Sequence, residues 1–297
     1  MARRLRALAW LAALATVPGL AGALDWRLEL FSHFLPFYIP LLLAGLCLER
    51  VRWRRAVLGA VLLLQLGWLY AASGWPEREA VDLPGISLRL FAFNGYVHNP
   101  DRVSALAWLR ERKPDVLLLT EATPAWLADV EMLRREMPHG CARGEDSPFG
   151  IALLSRQPLR LCEVIAPRAG DGFPYLRAEL ASGLVIYGIH PPPPLSAELA
   201  AARDAMLVEL ARRIASEAAP VLVLGDMNIT PFSPVYQSFR RDSRLQEAGF
   251  PFRPSWGPAG WPALLPLDRV LLRDVSGQVR FGPALGSDHR VLMLQLQ

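Results

Sequence analysis

VLVLGDMNITP, Val221–Pro231, decides how this chain is read. Val221 to Leu224 are consecutive apolar residues, the mark of a strand buried on both faces. The run meets Gly225 and then Asp226, Met227 and Asn228. In an extended chain Asp226 and Asn228 point to the same side. A carboxylate beside a carboxamide at a strand end suits water activation and phosphate-oxygen binding next to a divalent cation. Gly-Asp-x-Asn also makes an Asx-type turn readily, and turns are the commoner use of such residues. The two readings part on whether the rest of the chain supplies partners.

The chain has 297 residues, 52% of them apolar, with a mean hydropathy of +0.22. That is high for a soluble protein and points to membrane segments. The net charge of +4 and pI of 9.2 mislead if taken whole. Residues 1–75 hold Arg3, Arg4, Arg6, Arg27, Arg50, Arg52, Arg54 and Arg55 against Asp25, Glu29 and Glu49. Taking these from the 32 basic and 28 acidic residues leaves 24 and 25 for the remainder, which is near neutral. Clustered cations are the footprint of non-specific DNA binding, and this distribution disfavours it.

Three apolar stretches open the chain: Leu5–Leu24, Leu30–Leu48 and Ala56–Ala72. Each is near the ~20 residues that span a bilayer, although Pro36 and Pro40 interrupt the second. The first, with its basic start and Ala21-Gly22-Ala23, also has the look of a cleavable leader. Three in a row, joined by short Arg-flanked loops, predict three transmembrane helices over 1–73. Arginines crowd the N-terminus and the 49–55 loop, whereas Asp25–Glu29 carries two acids and one Arg. The positive-inside rule therefore puts everything after about Ser73 outside the cytoplasmic membrane, with or without cleavage after Ala23. Residues 74–85, rich in proline and charge, read as a linker.

From Ile86 to Gln297 strands and helices alternate, which suits a two-sheet α/β domain with helices outside, an α/β/β/α sandwich. Expected strands are Ile86–Phe93, Val116–Leu119, Gly150–Leu154, Leu159–Ile165, Leu176–Leu180, Leu184–Ile189, Val221–Leu224, Leu267–Leu272 and Val291–Leu296. Expected helices follow Asn99-Pro100, as cap and first residue, to about Arg112, then Pro124–Arg135, Ser196–Ala218 and Phe232–Arg241. Pro191–Pro194 is a stiff polyproline loop. The three cysteines have no zinc spacing. Cys47 reads as a packed hydrophobe, and Cys141 and Cys162 as free thiols. His98 and His139 read as surface residues.

Polar residues recur at strand ends: Asn94, Glu121, His190, Asp226 with Asn228, Asp268, and Ser287-Asp288-His289. Each alone could be a cap or turn. Together they offer carboxylates for a hard cation, amides for phosphate oxygens, and histidines to stabilise charge or move protons. No P-loop or GxSxG pattern competes.

At these residues the chain resembles the endonuclease/exonuclease/phosphatase superfamily, the deoxyribonuclease I-like fold, over roughly Ser87–Gln297. The motifs run in family order: Phe93-Asn94, Thr120-Glu121, Gly188–His190, Gly225–Asn228, Leu267–Val270 and Ser287–His289. The whole layout is also similar to a bacterial subgroup with three N-terminal spans and an HPPPP segment, here His190–Pro194. The resemblance implies Mg²⁺ as cofactor, with Mn²⁺ as its substitute, held by Glu121 with Asn94 adjacent and Asp288 in support. It implies that Asp226 orients or deprotonates the attacking water, that Asn228 and His190 hold phosphate oxygens, and that Asp268 polarises His289. One departure is that family members often carry Tyr or Arg near the role given to His190.

Substrate is not fixed by fold. A neutral domain, an extracytoplasmic address, and apolar loops at Trp256–Leu267 and Phe173-Pro174-Tyr175 suit a lipid-linked phosphate or diphosphate and contact with the bilayer. Simple packing of those side chains under a proline-rich loop is the plain alternative. Two other readings stand beside a lipid phosphohydrolase: an extracytoplasmic Mg²⁺-dependent nuclease acting on nucleic acid, and a catalytically dead, membrane-tethered binding module. The sequence does not speak to oligomeric state.

Overall fold

The computed structural model describes residues 1–73, 87–166, 173–250 and 252–296. The expected 74–85 linker lies outside the described residues. Two compact units emerge, one built from Met1–Pro76 together with Ile229–Ser238, the other from Glu77–Asn228 and Phe239–Gln297.

The first unit is helical. Helix α1 covers Ala2–Leu20, α2 is the single turn Trp26–Glu29, α3 runs Leu35–Leu48 after a short 3₁₀ turn, and α4 runs Arg52–Ser73. Two stretches are long and apolar enough to cross a membrane, Trp26–Leu48 and Arg52–Ser73; α1, with three arginines near its start, is not among them. Ala9, Ala12, Ala13 and Gly45 lie inside with Leu42, Leu58 and Leu62, and a Cβ on Gly45 would stand only 2.3 Å from that of Ala9. Other leucines face out, with Leu14 64% and Leu63 71% exposed. Small residues at helix contacts and large apolar ones outside are what hydrocarbon surroundings favour. The buried Gln65 donates to Thr16 within this interior. Cys47, expected to pack, is exposed on α3.

The second unit contains two six-stranded mixed sheets. Strands are β1 Leu88–Asn94, β2 Val116–Thr120, β3 His139–Arg143, β4 Ile151–Ser155, β5 Leu159–Ile165, β6 Tyr175–Leu180, β7 Val185–Gly188, β8 Val221–Asp226, β9 Gln246–Glu247, β10 Asp268–Arg273, β11 Gly277–Phe281 and β12 Leu292–Leu296. The sheet orders are β11-β12-β1-β2-β4-β3 and β5-β6-β7-β8-β10-β9. Every expected strand is present; β3, β9 and β11 are additions, edge or near-edge segments whose mixed burial leaves little apolar pattern to read. His139 accordingly sits half-buried in β3 instead of on the surface.

The core between the sheets is made by alternate residues of the central strands, among them Leu90, Leu118, Ile186, Leu222, Val270 and Leu294. A second core lies between the first sheet and helices α5 (Arg102–Glu111) and α6 (Pro124–Val130), where buried Trp126 meets Phe93 edge-on at 6.1 Å. Residues 221–224 are wholly buried on both faces, each worth roughly 1.5–3 kcal/mol of apolar burial. Helix α7, Ala197–Ser216, starts where Ser196 accepts from the Leu199 amide, as expected. The cap of α5 differs: Asp101 accepts from the Ser104 amide, while Asn99 is buried, donating to the Gly95 and Leu285 carbonyls. Asn99 directs its Nδ2 to those two loops and its Oδ1 to the Asp101 amide, which leaves the cap to Asp101.

Cys141 on β3 and Cys162 on β5 form a disulfide, with Cα atoms 5.6 Å apart. This corrects the expectation of free thiols. Sequence spacing could not reveal that the two residues stand on facing edges of different sheets, and β3 had no strand signal of its own.

Candidate active site

Strand direction gathers the polar ends. In the first sheet β1 and β2 are parallel, with Asn94 level with Thr120, so Asn94 and Glu121 leave together. In the second, β7 and β8 are parallel, which brings His190 beside Asp226. Strand β10 is antiparallel to β8 and starts where β8 ends, so that Asp268 faces Asp226. His289 precedes β12, which is antiparallel to β1. Gly225 permits the approach of β8 to the chain before His190: its φ is 138°, and a Cβ there would lie 2.1 Å from the Ile189 carbonyl oxygen.

Asp226 is the hub. Its Oδ2 accepts from Asn94 Nδ2 at 3.0 Å and lies 3.4 Å from both His190 Nε2 and His289 Nε2. Asn94 Nδ2 also donates to Glu121 Oε1 at 3.0 Å, and Glu121 Oε2 accepts the Val97 amide at 2.8 Å. The other nitrogen of His289, Nδ1, is 2.8 Å from Asp268 Oδ2. One imidazole thus bridges two carboxylates that face each other across β8 and β10. Asp268 is fixed in turn, since Ser255 Oγ accepts the amides of both Asp268 and Leu267. Asn228 presents Nδ2 to the Pro191 carbonyl, and its amide donates to Asp226 Oδ1 at 2.9 Å.

Electrostatics follow from this burial. Desolvation pushes the Asp226 carboxyl up, but the His289 charge and the His190 contact outweigh it, so the group lies well below the ordinary carboxylate range. Burial opposes the charged form of His289, yet Asp268 and then Asp226 push its pKa up to about 10. The pair is therefore carboxylate and imidazolium at neutral pH. Glu121 (φ 56°) and Asn228 (φ 50°) both adopt left-handed backbone, uncommon for such residues and frequent at functional sites.

Asp288 turns another way. Its Oδ2 accepts from Trp256 Nε1 at 2.9 Å and its Oδ1 is 3.4 Å from Ser287 Oγ, while Ser287 Oγ donates to the Asn94 carbonyl. Among the described residues no three His, Cys, Asp or Glu side chains converge as a metal-binding group. The donor set nevertheless fits a hard cation. Glu121, Asp226, Asp268 and Asp288, at strand ends of the two sheets, outnumber the two histidines, and Mg²⁺ takes only one or two protein carboxylates beside water and substrate oxygens. Asn94 Oδ1 accepts the Tyr96 amide, and its NH₂ group lies between the Glu121 and Asp226 carboxylates.

Ser255 and Trp256 were not legible as site residues. Trp256 pairs in an isolated bridge with His289 and contacts Asp288, but in the sequence it is one aromatic in a proline-rich loop. Phe149 was also missed; its ring stacks near Phe173 at 4.2 Å and His190 at 6.0 Å. His98 stays exposed, against the Tyr96 ring.

A family profile described as endonuclease/exonuclease/phosphatase family matches residues 91–289. The chain belongs to this family, and its chemistry is hydrolysis of phosphate esters. Among solved structures it is similar to sphingomyelinase C from Streptomyces griseocarneus, at 18% identity and a TM-score of 0.54, over 71% of this chain and 100% of that one. It is also similar to a 3′ phosphatase from Neisseria bound to a product DNA hairpin, at 14% identity and a TM-score of 0.58, covering 71% and 99%. An AP endonuclease from Archaeoglobus fulgidus matches at 17% identity and a TM-score of 0.56, also over 71% and 99%. At these identities the likeness is one of fold. No curated protein sequence matches the chain.

Proposed function

We propose that the chain is a membrane-anchored, Mg²⁺-dependent phosphohydrolase that acts on a lipid-linked phosphate or diphosphate outside the cytoplasmic membrane. The observation that carries the chemistry is the single Asp226 oxygen shared by Asn94, His190 and His289. Held as an anion by those neighbours, Asp226 orients a water for attack on phosphorus. His289, kept cationic between Asp268 and Asp226, stabilises negative charge on the phosphoryl oxygens as the ester bond breaks. In this reading His190 and the Asn228 side chain, beside Asp226, donate to those oxygens. Glu121, with Asp288 in support, would hold the cation, which supplies charge neutralisation.

Three observations support the address. All three N-terminal helices, α1 included, carry leucine on their outer faces, which favours three spans. Within the helical unit, Ile229–Ser238 bonds to Glu29, His33 and Ala72, at the ends away from the Arg-rich 49–55 loop. The Cys141–Cys162 disulfide belongs to an oxidising compartment. For the lipid, two loops that leave strand-end motifs are tipped by bare apolar side chains: Leu195, 77% exposed, and Trp261, 70% exposed. Such tips suit a bilayer interface.

The test is a panel: purified full-length protein with Mg²⁺, offered a polyprenyl diphosphate, a phospholipid and plasmid DNA. Release of phosphate or headgroup from lipid is expected. Nicked plasmid with untouched lipid would make it a nuclease, and inertness towards all would make it a binding module. A C-terminal GFP fusion should be dark; fluorescence would overturn the address.

A further inference from the structure

We propose that the helical N-terminal unit is a positioning element for catalysis, acting through a buried strap, Ile229–Ser238, that starts at the residue after Asn228. The inference rests on the assignment of Asp226 and Asn228 to the phosphate edge. The strap belongs to the same compact unit as the N-terminal helices, although it lies more than 150 residues away from them in sequence. Two bonds between buried side chains help to hold it there. His33 Nδ1 and Thr230 Oγ1 share a hydrogen bond of 2.8 Å, and Ser233 Oγ bonds to the Glu29 carboxylate. Thr230 and Ser233 are wholly buried, and Glu29 and His33 nearly so.

Burying a carboxylate and an imidazole in an apolar helical unit is costly, and a plain tether has no need of either. Here both face the strap. Ser233 links the contact onward, because its Oγ also accepts the amides of Val235 and Tyr236 at the start of helix α8 (Pro234–Asp242). A turn closed by the Ser233 amide on the Thr230 carbonyl keeps the two gripped residues in fixed relation. From Thr230 only Ile229 intervenes before Asn228, whose left-handed backbone and bond to Asp226 Oδ1 leave little slack. A shift of the strap is therefore passed along the main chain to Asn228 and Asp226. His33 and Glu29 are positioning residues in this scheme; neither touches substrate.

The test uses the full chain in detergent. His33→Ala should lower kcat by roughly ten- to hundredfold with KM nearly unchanged, the scale expected when a catalytic group is misplaced by about 1 Å. In an Asn228→Ala background the same substitution should add less than about twofold, because the path then ends at a missing group. His33→Gln, which can still bond Thr230, should restore most of the loss. Amide hydrogen exchange, which needs no activity, should speed up in His33→Ala over residues 225–238 and stay unchanged in the rest of the two sheets. Unchanged exchange over 225–228, or equal losses in the two backgrounds, would overturn the proposal while leaving the phosphohydrolase reading intact. Faster exchange there in His33→Ala, with a wild type inert to every phosphate ester, would sustain the strap and sink that reading.

Discussion

Asp268→Asn isolates the role of the bridging imidazole. The substitution keeps shape and leaves the backbone pinned, since the Asp268 and Leu267 amides still reach Ser255 Oγ. What goes is the charge 2.8 Å from His289 Nδ1. A hydrogen bond to a charged partner is worth roughly 1.5–3 kcal/mol, which at about 1.4 kcal/mol per decade is a ten- to 150-fold loss in kcat/KM. The loss should depend on pH. Asp268 is the largest attraction raising His289 to about 10, so removing it lets the imidazole lose its proton nearer its ordinary value of about 6.5. The wild type stays cationic across pH 6–9, whereas the variant turns neutral as pH rises. The ratio of wild-type to variant kcat/KM, followed by stopped assays of phosphate-ester hydrolysis with saturating Mg²⁺, should therefore grow from pH 6 to pH 9. A constant ratio across that range would refute the bridging-cation account, and wild-type activity in the variant would remove Asp268 from the site.

Glu121→Ala should cut Mg²⁺-dependent turnover at least ~10³-fold, with Mg²⁺ binding weakened by calorimetry; undiminished binding would move the cation elsewhere. In chelator, His289 stabilises the fold fully below about pH 6.5 and loses this contribution as pH rises through about 10, because its folded pKa is raised. Thermal midpoints of the metal-free wild type should thus fall from pH 7 to 10 more steeply than those of His289→Gln, and parallel curves would contradict the assignment. Replacing both Cys141 and Cys162 by Ser opens a link between residues 21 apart, costing about 3 kcal/mol. The catalytic unit should then melt roughly 6–12 °C lower, and an unchanged midpoint would mean that the link closes nothing the fold does not already hold.

Sequence reading reached the central strands because both their faces are apolar, as in Val116–Leu119 and Val221–Leu224, and no helix of that length competes. It failed at β3, β9 and β11, short edge segments with no fully buried residue and few apolar ones to read. The disulfide was hidden for the same reason, since it joins two edges whose adjacency exists only in three dimensions. Among site residues, those fixed to strand ends were readable and come together as a net. Ser255 and Trp256 were not, because each acts on the site through a loop whose path is set by Asp268 and Asp288. The strap escaped too: Ile229–Ser238 reads as the continuation of a strand-end motif into a helix, while its buried partners Glu29 and His33 lie just before and inside the second apolar stretch.

The choice posed by Gly-Asp-x-Asn, turn or catalysis, dissolves at the level of single atoms. Asp226 Oδ1 accepts the Asn228 amide, which is an Asx turn. Oδ2 takes Asn94 and faces both histidines, which is the reactive edge. The turn is thus the device that aims the second oxygen, and it also holds Asn228 at φ 50° so that its side chain stays beside the Pro191 carbonyl. Glu121 repeats the logic at φ 56°, one oxygen tied to the Val97 amide and the other to Asn94. In both places one carboxylate oxygen is used for backbone geometry and the other meets Asn94, so a single amide sets the spacing between the carboxylate proposed to orient water and the one proposed to hold the cation. Asn94→Ala should therefore damage both functions at once, weakening Mg²⁺ binding and turnover together, whereas Asn94→Asp would set a third carboxylate between two others and should be the worse of the two. Equal activity in the two variants would show that the amide only fills space.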